Sequence, residues 1–129
     1  MSADEATIRA TIEQYLAAFT NDDRAAYVAL FAEDATVEDP VGTPVHRGRE
    51  EIGGFWDQSH GLADSIELRS IGITNVNGNE AAFAFEIRPT IGGATFTMQA
   101  IDVMSFTDDG HIQAMRAFWQ PETMRPVEG

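Results

Sequence analysis

ATFTMQAIDVMSF, residues 94–106, alternates strictly, and that alternation decides the fold. Phe96, Met98, Ala100, Asp102, Met104 and Phe106 fall on one side of an extended chain, with Ile101 and Val103 on the other. A period of two predicts a strand, with one face turned to a core. Every residue on that inner face is apolar except Asp102. A carboxylate placed there is costly unless it is paired, hydrogen-bonded or protonated. It is either a satisfied structural acid or a reactive one, and its own strand cannot decide between them.

The neighbouring segments continue the pattern. Upstream, Gly92-Gly93 marks a turn, and Phe83, Phe85 and Ile87 form the inward face of a preceding strand. Asn77-Gly78 is a hairpin signal. Ile66 and Leu68 share one phase while Ile71 and Ile73 take the other, which predicts a bulge near Ser70 or Gly72. Downstream, Asp109-Gly110 turns the chain again, and Met115, Ala117 and Trp119 line a last strand.

The first third reads differently. Ile8, Ile12, Tyr15, Leu16 and Phe19 follow one helical face, with Ser2 and Glu5 as a capping box. Asn21, Asp22 and Asp23 break that helix and cap a short second one, whose face is Tyr27, Leu30 and Phe31. Ala35 to Asp39 is a short strand stopped by Pro40. It points Ala35, Val37 and Asp39 one way, and Thr36 and Glu38 the other. Gly42 and Pro44 mark a loop. Ile52, Phe55 and Trp56 suit a third helix, weakened by Gly53 and Gly54. Helices followed by an antiparallel meander predict an α+β fold, a curved sheet wrapped around the N-terminal helices.

The chain has 129 residues, enough for one domain spanning 1–129, with no linker or internal repeat. Eight basic and 21 acidic residues give a net charge of −13. Nucleic acid and anionic membrane surfaces would be repelled. The absence of cysteine excludes disulfides, thiol nucleophiles and zinc–thiolate sites. MSADEATIRA has neither the basic flank nor the apolar stretch of a secretory signal, and no apolar run could span a bilayer, so a cytoplasmic protein is expected. His46, His60 and His111 lack metal-ligand spacing and read as loop or turn residues.

Three polar groups are therefore aimed at one interior: Tyr15, Asp39 and Asp102. Each alone has an ordinary explanation, as a core phenol, a turn acid and a structural acid. Together they leave too much polarity for a dry core, and a ligand cavity accommodates them. Such a trio suits proton transfer beside a carbonyl. A carboxylate takes a proton from the carbon alpha to a ketone, and two fixed donors hold the resulting enolate oxygen.

DATVEDPVG (34–42), AIDVMSF (100–106) and GHIQAMRAFW (110–119) resemble the bacterial ketosteroid isomerases, also called steroid delta-isomerases. The likeness runs from Tyr15 to Trp119. It implies a conical α+β barrel of the nuclear-transport-factor type, usually a homodimer, working without a cofactor or metal. It implies Asp39 as the proton-shuttling base, and Tyr15 with protonated Asp102 as the oxyanion hole. It implies that Phe85, Met115 and Trp119 line a steroid site. Some members extend the hydrogen-bond network with two further tyrosines, where this chain has Phe31 and Trp56. All five count as substrate-binding positions.

The activity so implied is conversion of 5-ene-3-ketosteroids to 4-ene-3-ketosteroids. A lyase or cyclase acting on a polyketide-like or terpenoid substrate is the alternative on the same cone, since one fold hosts many reactions. A passive binder of apolar ligands is the third reading, and it leaves a base opposite two donors unexplained. Ile101 and Val103, on the outer face of their strand, suit a dimer interface.

Overall fold

The computed structural model describes residues 3–127. Its first helix, α1 (Glu5–Thr20), buries Ile8, Ile12, Tyr15 and Phe19 along one face. Ser2 lies outside the described residues. The N-cap is Asp4, whose carboxylate accepts from the Thr7 amide at 2.7 Å. Asn21 ends the helix, and Asp23 caps α2 (Arg24–Ala29) by accepting from the Ala26 amide.

Phe31 is not on α2, contrary to the sequence reading. Leu30 closes that helix, and its carbonyl accepts from the Ile112 amide at 2.8 Å. Phe31 then opens strand β1 (Phe31–Glu38), paired with Ile112. Local periodicity missed this because the pull on Phe31 comes from a strand some eighty residues away. Asp39 directly follows β1, joined to Pro40 by a cis peptide.

The remaining elements are β2 (His46–Arg47), α3 (Gly48–Gly61), β3 (Ser65–Asn77), β4 (Glu80–Ile91), β5 (Ala94–Phe106), β6 (Ile112–Phe118) and β7 (Arg125–Pro126). The two glycines do not end α3. A side chain at Gly53 would meet the Arg24 guanidinium, which lies across the helix to pair with Asp57 at 2.7 Å. His60 is in the last turn of α3 and His46 in β2, so neither is a loop residue.

The sheet runs β2-β1-β6-β5-β4-β3, with β7 added against the start of β5. Among the described residues, only β1 and β6 pair in parallel. The edge strands β2 and β3 do not meet, so the sheet curves without closing. β3 and β4 slip register between Ser70 and Thr74, where the hydrophobic phase changes. That slip leaves Ile71 and Ile73 exposed on the outer side. Helices α1 and α3 lie against β3 and β1, and α2 fits between them. Their apolar faces join Phe83, Phe85, Met104, Phe106 and Met115 in one core. No helix among the described residues is long and apolar enough to cross a membrane.

Candidate active site

The register of the sheet places the two inward acids in one row. Glu38 pairs with Arg116, so Asp39, one residue on, comes level with Ala117. Ala117 pairs with Asp102, and Asp102 pairs with Phe83. Asp39, Ala117, Asp102 and Phe83 thus form a line, from the residue that follows β1 across β6, β5 and β4. The two acids are separated by two strand spacings, about 10 Å between backbones. Ala117 is the residue between them in that register.

Tyr15 completes the group from above. Its ring meets Phe83 edge-on with centres 6.5 Å apart, which holds the phenol over the same row. Tyr15 and Asp102 are both buried, and each shifts the titration of the other. Neither carboxylate oxygen of Asp102 has a hydrogen-bond partner of ordinary geometry among the described residues. Burial pushes its carboxyl well above the usual range, and the charge of Asp39 adds to the shift. Proximity to Tyr15 only partly offsets this. Tyr15 is in turn raised well above a normal phenol by burial, then by Asp102 and Asp39. Both shifts favour the protonated form of each group.

Asp39 and its neighbour Glu38 differ as the alternation predicts. Glu38 points outward and accepts from the Gly42 amide and from Arg116, both at 3.0 Å. Those bonds hold its pKa down. Asp39 is half-buried, and desolvation raises its pKa instead. Two influences oppose that rise: a hydrogen bond from the Trp119 indole N–H at 2.5 Å, and His46 nearby. The role of Trp119 was not visible in the sequence, where it read as an apolar wall.

The other expected positions are all near the interior. Phe31, Trp56, Phe85 and Met115 are buried, and Trp119 is half-buried at the rim. A cavity surrounding the trio, expected from its polarity, is not what the structure shows. The interior is filled by rings in contact, including Phe19–Trp56 at 4.7 Å and Phe83–Phe85 at 5.6 Å. A cavity of about 910 Å³ lies elsewhere on the molecule, and none of the trio lines it. Pro40, Met98, Ala100 and Trp119 reach its edge, but much of its lining, including Ile71, Glu86, Thr97, Ile101 and Phe118, belongs to the outer face of the sheet.

One further residue belongs to this cluster and was overlooked. Tyr27 is fully buried, and its ring lies 6.1 Å from that of Tyr15. From sequence it was one more residue on the α2 face, and no local signal separates it from a core aromatic.

The SnoaL-like domain family model matches residues 12–120. This chain belongs to that family. The SnoaL-like domain here is 41% identical over 119 residues to the Steroid Delta-isomerase of Nocardioides simplex, covering 92% of this chain and 94% of the relative. It also resembles a solved structure of SalBIII, an epoxide hydrolase/cyclase-like enzyme of pyran ring formation in the polyether salinomycin. That likeness has a TM-score of 0.86 and 25% identity, and covers 96% of this chain and 98% of SalBIII. The ketosteroid-isomerase resemblance and the α+β fold read from the sequence agree with these findings.

Proposed function

We propose that this SnoaL-like domain is a steroid delta-isomerase, with Asp39 as general base and Tyr15 and Asp102 as the oxyanion hole. The observation that carries this is the row itself. It holds one partly open acid that accepts from an indole, and one buried acid, beside a buried phenol, whose oxygens have no hydrogen-bond partner of ordinary geometry among the described residues. The identity to the Nocardioides enzyme supports the same reading.

The reaction follows from the protonation states. Asp39, ionised, removes a proton from the carbon between the ketone and the double bond of a 5-ene-3-ketosteroid. The electron pair moves onto the ketone oxygen, giving a dienolate. Tyr15 and neutral Asp102 donate hydrogen bonds to that oxygen, and each such donor is worth about 3 kcal/mol at the transition state. Asp39 then returns the proton to the far end of the diene, leaving a conjugated enone. One base serves both steps, and the proton balance closes without a co-reactant. The apolar substrate is placed by Phe85, Met115 and Trp119, with Phe31 and Trp56 behind Tyr15.

The test is direct. Mixed with a 5-ene-3-ketosteroid, the protein should generate conjugated-enone absorbance at a rate proportional to its concentration. Steady absorbance would reject the proposal and leave the cyclase reading, which the SalBIII likeness fits.

Trp119 sets the working pH of the base. Its N–H stabilises ionised Asp39, so Trp119→Phe raises the Asp39 pKa further. A base acts ionised, so the acid limb of the kcat/KM profile should move to higher pH. An unmoved limb would show that the indole does not govern Asp39.

A homodimer is part of this proposal. Ile71, Ile73, Ile101 and Phe118 leave apolar surface on the outer face of the sheet. Ile101→Lys should convert dimer to monomer, because association would bury an unpaired charge. Sedimentation at micromolar concentration reads the outcome, and a wild-type monomer would defeat the idea.

A further inference from the structure

Tyr27 is the residue whose chemistry the mechanism above leaves unused. It projects from α2 into the middle of the aromatic cluster. Phe31 lies 5.0 Å away on one side, Trp56 4.8 Å and Phe19 5.3 Å on others, and Tyr15 6.1 Å. It has no exposure to solvent, and its hydroxyl has no hydrogen-bond partner among the described residues. A phenylalanine would fill the same space without that cost. An unpaired buried hydroxyl costs its desolvation with nothing in return, so its presence calls for a use.

The surroundings narrow that use. None of the three rings nearest Tyr27 carries an acceptor: Phe19 and Phe31 have no polar atom, and the Trp56 indole can only donate. Tyr15 is the one neighbouring ring with an oxygen that can accept. The two phenol rings are 6.1 Å apart and tilted by 39°, so Tyr15 is the polar ring within reach of this orphan hydroxyl. Burial raises the Tyr27 phenol well above its usual range, and Asp39 and Asp102 add to the rise, so Tyr27 shares the electrostatic surroundings of Tyr15.

We infer that Tyr27 is a positioning residue of the oxyanion pair, its O–H donating to the Tyr15 oxygen as Tyr15 donates to the enolate. As charge builds on the substrate oxygen, the Tyr15 proton shifts toward it and the Tyr15 oxygen becomes a better acceptor. A second hydroxyl there strengthens the first donor, as chains of hydrogen bonds polarise one another. Phe31 and Trp56 cannot supply that hydroxyl in this chain, and Tyr27 lies between them. The inference rests on the oxyanion-hole reading of Tyr15.

The experiment compares Tyr27→Phe, Tyr15→Phe and the double variant in turnover, KM and melting temperature. Tyr27→Phe should lower kcat roughly tenfold, the worth of one net hydrogen bond of about 1.4 kcal/mol. KM should hold, because the interaction grows only in the transition state. The melting temperature should not fall, since the hydroxyl removed has no hydrogen-bond partner among the described residues. In the Tyr15→Phe background the same change should have no further effect on kcat. Unchanged kcat in Tyr27→Phe overturns the inference. So does a loss that tracks the melting temperature, or one that persists at full size without the Tyr15 hydroxyl. Full activity in Tyr15→Phe would remove the oxyanion-hole reading, and this inference with it. An impaired Tyr15→Phe beside an unimpaired Tyr27→Phe removes this inference alone.

Discussion

Asp102→Leu should lower kcat by on the order of 100-fold, about 3 kcal/mol, in a protein that remains folded. The leucine replaces a buried, unpartnered acid with an apolar side chain of similar size, and Ala117 and Phe83 on either side offer it nothing polar to leave stranded. Asp102→Asn keeps a weaker donor and should retain much of the activity. Asp102→Ala falls between, because water can partly replace the lost group. The order Asn, Ala, Leu is the signature of a donor aimed at substrate. An ionised acid in a folding network would give another pattern, with Asn and Leu both unstable and activity following stability. Full turnover in a well-folded Leu variant would sink the role.

The same residue sets a stability trend. The Asp102 pKa is raised on folding, well above the ordinary 3.8. Below that ordinary value both folded and unfolded chains hold the proton, and the contribution is fully present. As the pH rises, the unfolded chain releases its proton while the folded one keeps it. Stability then declines by up to about 1.4 kcal/mol per pH unit until the folded pKa is passed. Asp102→Asn removes this slope, so its denaturation midpoint should depend less on pH above 4 than that of the wild type. Parallel urea titrations across the range check it.

Asp39→Asn should cost two to four orders of magnitude in kcat, the usual contribution of a general base. The amide keeps the shape of the carboxylate and still accepts from the Trp119 indole, so the steroid should bind with little change. It cannot take the proton. KM near the wild-type value with kcat nearly abolished is therefore the expected result. Near-normal turnover would remove Asp39 from the mechanism.

Much of this arrangement was legible along the chain, for reasons of symmetry. A strand has a period of two, so the inward phase of Asp102 among Met98, Ala100 and Met104 follows from their spacing. The same rule separates Asp39 from Glu38, and the structure gives these neighbours opposite environments. Turn chemistry marked the hairpins at Gly78 and Gly92-Gly93, all three with positive φ. The hydrophobic phase change near Ser70 marked the register slip that the strand pairing shows.

What remained hidden depends on contacts between distant segments. Phe31 leaves α2 because Ile112 draws it into the sheet, and no local rule weighs a partner so far along the chain. Trp119 looked like an apolar wall because a lone tryptophan does not say where its N–H points. Tyr27 looked like core because an amphipathic helix face lists residues without saying which hydroxyl goes unpaired. By itself, the sequence determined which side chains turn inward, since that depends only on local backbone geometry. Only the tertiary structure decided which of them meet. The row from Asp39 through Ala117 to Asp102 exists because β1 lies parallel to β6 in one register, and a pairing register is set by the packing of the whole sheet.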